Sequence, residues 1–234
     1  MKLISIIIPA FNEEGNVKEL SNHIENVFKT INKYDYEIIF VENGSTDNTF
    51  NTLKDIKTNN EKVKIIKLSR NFKMDGGIAA GIEQVDGDAA IIMTANLQDD
   101  PAIIPDFIKL WEEGYDHVYG IVKSRPGKSP IRRLNSKFFY FLINKLTNGQ
   151  IPKGVSDYRL VDKKVIKAVK SLEEFNRFYR GFFSWVGFKS TGLEFERNTR
   201  FSGKSHAATL PVLGFALRGI FAFSLTPLRI STFF

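Results

Sequence analysis

The sequence predicts an α/β fold, a doubly wound and mostly parallel sheet with helices on both faces, and three observations carry that prediction. Two apolar runs break abruptly into polar clusters: Ile4-Ser5-Ile6-Ile7-Ile8-Pro9 into Asn12-Glu13-Glu14, and Ile38-Ile39-Phe40-Val41 into Glu42-Asn43-Gly44-Ser45-Thr46-Asp47. Short apolar runs closed by turn residues fit strands buried on both faces. Between them Val17, Leu20, Ile24, Val27, Phe28 and Ile31 recur at helical spacing, and the strand–helix beat then repeats. Ligands of open parallel sheets bind at the carboxyl ends of the strands, where both polar clusters fall. The pattern therefore places a nucleotide-sized pocket there.

The elements follow in order. Val63 to Leu68 reads as a third strand, Gly76 to Val85 as a helix and Ala89 to Met93 as a fourth strand. Asp100-Pro101 supplies a carboxylate N-cap followed by proline at the first helical position, and that helix runs to about Glu113. Ser45, Thr46 or Asp47 is suited to cap the helix beginning near Asn48, so the second polar cluster has a structural reading beside the binding one.

A chain of 234 residues accommodates one domain with an appendage. It contains no cysteine, which removes disulfides and thiolate metal sites and suits a reducing compartment. Met1-Lys2-Leu3-Ile4 leads straight into a strand without a small-residue cleavage site, so a secretory signal is not expected. No stretch reaches the ~18 consecutive apolar residues of a membrane-spanning helix.

Charge divides the chain. Residues 121–234 hold 21 Lys+Arg against 6 Asp+Glu, and residues 1–120 hold 12 against 20, so the halves carry +15 and −8. The second half calls for an anionic partner. Its basic residues alternate with apolar stretches such as Phe138-Phe139-Tyr140-Phe141-Leu142-Ile143, which fits an anionic membrane surface and not nucleic acid. Residues 207–234 contain only two charges, Arg218 and Arg229, with Leu210, Leu213, Leu217, Phe221, Leu225 and Leu228 at three- or four-residue spacing. They are expected to form amphipathic juxtamembrane helices; packing onto the core is the competing reading. The abrupt end at Phe233-Phe234 is expected to mark a truncation.

Six motifs carry a resemblance: Ile8-Pro9-Ala10-Phe11-Asn12-Glu13-Glu14, Val41-Glu42-Asn43-Gly44-Ser45-Thr46-Asp47, Leu68-Ser69-Arg70-Asn71-Phe72, Asn96-Leu97-Gln98-Asp99, Ser156-Asp157-Tyr158-Arg159-Leu160 and Arg200-Phe201-Ser202-Gly203-Lys204-Ser205. In order, over essentially the whole chain, they resemble family 2 inverting glycosyltransferases, in the branch of dolichyl-phosphate mannose synthase and bactoprenol glucosyltransferase. The resemblance implies a glycosyltransferase A type fold, Rossmann-like, with two transmembrane helices following near where this chain ends. It implies a catalytic domain over 1–206, divided into a nucleotide-sugar half (1–120) and an acceptor half (121–206), with the interface helices over 207–234. The implied reaction moves a hexose from a nucleotide sugar, UDP-linked in preference to GDP-linked, to a polyprenyl phosphate. It takes place on the cytoplasmic face of the membrane and inverts the anomeric centre. A saccharide or glycolipid acceptor and a catalytically degenerate binding protein are the alternatives, and a homo-oligomer is compatible with all three.

The same resemblance implies the site. Pro9, Ala10, Phe11, Asn12, Glu13, Glu42, Asn43, Ser45, Ala95, Asn96 and Gln98 line the nucleotide sugar. Lys123 and Arg125 belong to a loop covering the donor, and Arg132, Arg133, Ser136, Arg200, Lys204 and Ser205 clamp the acceptor phosphate and the diphosphate, arginine forks and hydroxyls being suited to phosphate oxygens. A solvated basic face is the plain alternative. Asp157 is the expected base, since inversion needs a carboxylate at the attacking oxygen; a loop aspartate paired with neighbouring Arg159 is the structural alternative.

Two departures stand out. The family shows Asp-Asp where this chain has Glu42-Asn43, and Asp-Ala-Asp where it has Thr94-Ala95-Asn96. The second pattern normally holds a divalent cation (Mg or Mn) across the diphosphate. Three accounts compete: a weak metal site from Asn96, Gln98 and Asp99, with Asp99 suited equally to capping the next helix; metal-free stabilisation by Arg and Lys; or a chain that no longer turns over.

Overall fold

A computed structural model describes residues 1–123, 154–174 and 177–198. Seven strands form one sheet in the order β3-β2-β1-β4-β6-β5-β7. The first half alternates as predicted: β1 (Lys2–Ala10), α1 (Val17–Thr30), β2 (Tyr34–Glu42), α2 (Thr49–Asn59), β3 (Val63–Lys67), α3 (Lys73–Glu83) and β4 (Ala89–Ile92). A 3₁₀ turn (Pro101–Ile103) leads into α4 (Ile104–Glu112), and β5 (His117–Val122), β6 (Val155–Asp162), α5 (Lys163–Lys170), α6 (Tyr179–Trp185) and β7 (Ser190–Phe195) complete it. Strands β1 to β4 are mutually parallel, β6 is antiparallel to both β4 and β5, and β7 pairs parallel with β5.

The continuous apolar runs have a simple cause: alternate residues face opposite layers. Ile4, Ile6 and Ile8 pack with Leu20, Ile24, Leu53, Phe107 and Trp111 under α1, α2 and α4. Ile7, Ile39 and Val41 pack with Ile78, Ile82, Val165, Ile166, Phe182 and Phe183 under α3, α5 and α6. Both faces of the sheet are thus covered, as a parallel sheet requires. Helix α3 lies close against β1, since a Cβ on Gly81 would stand 2.3 Å from Ile7 Cγ2.

Local chemistry sets the element boundaries. Asp100 accepts from Ala102 N at 2.9 Å and Pro101 follows, so the predicted cap is present. The turn it opens is 3₁₀ before it becomes α4. Helix α3 begins at Lys73, three residues earlier than its apolar pattern indicates, after a turn in which Lys73 itself has a φ of 64°. Asp162 opens α5 in the same way as Asp100, accepting from Lys164 N at 2.9 Å. The expected juxtamembrane helices over 207–234 lie outside the described residues. Among the described residues no helix is long and apolar enough to cross a membrane.

The topology creates one functional edge. The carboxyl ends of β1, β2, β4, β5 and β7 share a side of the sheet. Because Ile92 pairs antiparallel with Arg159, the amino end of β6 points the same way. Continuing that register carries Asp157 to the level of Thr94.

Candidate active site

The β1 and β2 loops brace each other. Asn12, held at a φ of 56° that asparagine tolerates, donates its backbone N–H to Ser45 Oγ at 3.1 Å and accepts from Thr46 N at 2.8 Å. Glu13 N donates to Thr49 Oγ1 at 2.9 Å, and Glu14 accepts from Asn48 N at 2.8 Å. Of the three suggested caps, Asp47 takes the role, accepting from Thr49 N at 3.0 Å. Ser45 and Thr46 instead tie the loops together. Gly44, at a φ of 72°, lets the loop pass over β3's exit: a Cβ there would stand 2.5 Å from the Arg70 carbonyl carbon.

Glu42 and Asn43 lie beneath this surface, both buried. Glu42 accepts from Ser45 N. Asn43 accepts from Phe72 N at 2.9 Å and donates to the Lys73 carbonyl at 2.8 Å. An aspartate could make only the first of Asn43's two bonds, so the amide has a structural reason: it fixes the turn into α3. Pro9, Ala10 and Glu13 are buried and Phe11 is half-buried at the same edge.

The β4 loop is a closed polar knot. Thr94 Oγ1 lies 2.6 Å from Asp99 Oδ2 and 2.9 Å from Asn96 Oδ1. Asn96 Oδ1 also accepts from Gln98 N at 3.1 Å, and Asn96 Nδ2 donates to Gln98 Oε1 at 3.0 Å. Ala95 is buried, and Leu97 between the two amides sits at a φ of 57°. Asp99 is fully buried and does not cap α4; its Oδ1 receives both Nε and Nη2 of Arg197, at 3.0 and 2.8 Å. The segment after β7 is further pinned to this loop by Asn198 N on the Gln98 carbonyl at 3.1 Å.

These residues do not fit a divalent cation. Thr94 and Asn96 offer only neutral oxygens, those of Asn96 and Gln98 are bonded within the loop, and the Asp99 carboxylate is neutralised by Arg197. The three side chains of the expected weak site, Asn96, Gln98 and Asp99, are instead engaged in the knot. Among the described residues no group of three or more His, Asp or Glu is arranged to hold a metal.

Asp157 lies on β6, not on a loop, and its partner is Arg180 in the first turn of α6, not Arg159. Arg180 Nε and Nη2 reach Asp157 Oδ1 and Oδ2 at 3.0 and 2.6 Å, with each side chain about one-fifth exposed (21% for Asp157, 19% for Arg180). Burial pushes the Asp157 carboxyl up, but Arg180, with Arg159 and Arg197 behind it, outweighs burial and holds the carboxyl below its ordinary range. Arg159 is fully buried, donating to the Asp157 and Ser156 carbonyls at 3.2 and 2.8 Å, and among the described residues Nη1 has no partner. Burial lowers its pKa to about 10, with Asp157 opposing.

Lys123 stands at the same edge, exposed and 3.6 Å from Glu194. Arg125, Arg132, Arg133, Ser136, Arg200, Lys204 and Ser205 lie outside the described residues. Sequence reasoning missed Arg180 and Arg197. The available signal for Arg180 was a lone arginine inside the aromatic run Phe178-Tyr179-Arg180-Gly181-Phe182-Phe183.

With this arrangement in place, likeness to known proteins becomes informative. The glycosyl transferase family 2 profile matches residues 5–170. The chain belongs to that family. This family 2 glycosyltransferase is 41% identical over 230 residues to an uncharacterized glycosyltransferase of Synechocystis sp., covering 98% of this chain and 72% of that one. It is 33% identical over 230 residues to a prophage bactoprenol glucosyl transferase homolog of Escherichia coli K12, covering 98% and 75%. Among solved structures it resembles glucosyl-3-phosphoglycerate synthase from Mycobacterium tuberculosis in complex with Mn²⁺, UDP-glucose and phosphoglyceric acid, with a TM-score of 0.65, 16% identity, and 96% of this chain and 79% of that chain covered. The enzyme thus has a glycosyltransferase A-like α/β fold, a mostly parallel sheet with flanking helices.

Proposed function

We propose that this glycosyltransferase moves a hexose from a UDP-sugar to a polyprenyl phosphate at the cytoplasmic face of the membrane, inverting the anomeric carbon. The observation that carries the reading is the convergence, at one sheet edge, of the β1, β2 and β4 loops with the Asp157–Arg180 pair. The bactoprenol glucosyl transferases among its relatives support the lipid acceptor. The UDP and UDP-glucose held by the solved mycobacterial enzyme support the donor. The basic second half of the chain supports an anionic membrane surface.

In this reading Pro9, Ala10, Phe11, Asn12 and Glu13 with Glu42, Asn43 and Ser45 form the nucleoside wall, and Ala95, Asn96 and Gln98 face the sugar diphosphate. A phosphate oxygen of the acceptor attacks the anomeric carbon opposite the diphosphate. One C–O bond forms, the bond to UDP breaks, and UDP leaves with the electron pair. Asp157 takes the proton of a singly ionised acceptor. With a fully ionised one it positions the attacking oxygen, because there is no proton to remove. Its depressed pKa keeps it ionised before the attack in either case. Lys123, Arg125, Arg132, Arg133, Ser136, Arg200, Lys204 and Ser205 supply the phosphate clamps.

The test is transfer of labelled glucose from UDP-glucose to polyprenyl phosphate in vesicles, followed by organic extraction. Label in the organic phase is the expected result, reduced about 10²-fold or more by Asp157→Asn. Label that stays aqueous and moves onto an added saccharide would replace the lipid acceptor with a sugar one.

A further inference from the structure

Where a paired-carboxylate cation site would stand, this chain has the neutral side chains of Thr94 and Asn96. Five carboxylates at the described part of this edge are already engaged. Glu13 is bonded to Asn16, Glu42 to Ser45, Asp47 to Thr49, Asp99 to Arg197 and Asp157 to Arg180. Asp75, behind Asp157, accepts from Tyr179 N at 3.1 Å. Residues 124–153 and 199–234 contain no aspartate or glutamate at all, and only one histidine, His206. Those two segments therefore bring no anionic ligand to Thr94 and Asn96, and hard divalent cations are held by oxygen ligands that include carboxylates.

What the edge does contain is fixed positive charge. Arg197 stands at the exit of β4 with two of its N–H groups on Asp99 and its side chain 22% exposed, while Asp99 is fully buried. A fork held on one face by a buried carboxylate keeps its remaining donors aimed in a set direction, and that preorganisation suits an anion.

We propose that donor binding in this enzyme is independent of divalent metal, and that Arg197, oriented by Asp99, occupies the place of the cation at the diphosphate. This rests on the nucleotide-sugar reading above for its ligand, but not for its metal arm. As UDP leaves, negative charge grows on the diphosphate. A guanidinium at β4's exit compensates it without a metal to recruit.

The experiment is calorimetric titration of the full chain with Mn²⁺ alone, then with UDP and with UMP, each with Mn²⁺ or with a chelator. The expected result is no Mn²⁺ binding and a UDP affinity unchanged within about twofold by the chelator. Arg197→Gln is expected to weaken UDP by about tenfold or more while UMP changes little, since charge-assisted hydrogen bonds to the distal phosphate are lost. Thr94→Asp/Asn96→Asp, which restores two free carboxylates, is expected to gain Mn²⁺ binding. Saturable Mn²⁺ binding by the unaltered chain, or loss of UDP binding on chelation, would overturn the proposal. Equal weakening of UDP and UMP by Arg197→Gln would reduce Arg197 to a structural partner of Asp99, and that also overturns it. If UDP and UMP both fail to bind in every condition, the donor reading falls, and the Mn²⁺ titration alone still decides the metal question.

Discussion

His117 shows how one buried side chain makes the fold sensitive to acid. It opens β5, is 1% exposed, and among the described residues neither ring nitrogen has a hydrogen-bond partner. Its ring lies 5.4 Å from Tyr119 and 5.8 Å from Phe183. Burial first, and the charge of Arg159 second, hold its pKa well below the ordinary value of 6.5. The sign follows directly: as pH falls below about 6.5 the unfolded chain takes up a proton that the folded chain refuses, so stability declines. Denaturant midpoints measured from pH 7.5 down to 5 should fall, and His117→Phe should flatten that slope. An unchanged slope in the variant would place the acid sensitivity elsewhere. Site residues differ in how far they could be read in advance. Glu42 and Asn43 stood out because they follow a strand, and Asp157 because its motif is short and ordered. That Asn43 would fix the α3 turn, or that Asp157 would pair with an arginine 23 positions away, depends on long-range packing that no local pattern encodes.

At the level of elements, the helices and strands of the first half follow from periodicity because each is amphipathic or uniformly apolar over its own length. Strand β6 escapes such reading. Val155-Ser156-Asp157-Tyr158-Arg159-Leu160-Val161-Asp162 mixes polar and apolar positions, and its largest buried side chain is an arginine. Only pairing with β4 and β5 makes it a central strand. Helix α6 is seven residues long, too short for a periodic signal. The α3–β1 contact, by contrast, makes a sharp prediction. Gly81→Ala places a methyl 2.3 Å from Ile7 Cγ2, and the overpacking should cost about 1–3 kcal/mol in urea unfolding. A variant as stable as the parent would mean that α3 can shift away from the sheet without cost.

Across the whole molecule, charge is segregated more strongly than the net +7 conveys. The acidic first half bears the loops proposed to face the nucleotide, and the basic second half contains the sequences expected to meet lipid. Binding to vesicles rich in anionic lipid should therefore exceed binding to neutral ones and weaken as salt rises from 50 to about 500 mM, because screening shortens the reach of surface charge. Salt-independent binding in a sedimentation assay would assign the attachment to apolar insertion instead. The sheet order also explains why sequence halves are a poor guide to space: β6, from the second half, lies between β4 and β5 of the first.

That insertion has a further consequence. The ladder joining Ile92 to Arg159 brings Asp157 to the level of Thr94 through backbone pairing. In the reaction proposed above, the electrostatics of the leaving group and the alignment of the attacking one are therefore separately adjustable parts. In that proposal, substitution at Thr94 and Asn96 exchanges the charge of Arg197 for that of a cation while the line of attack stays where the sheet puts it.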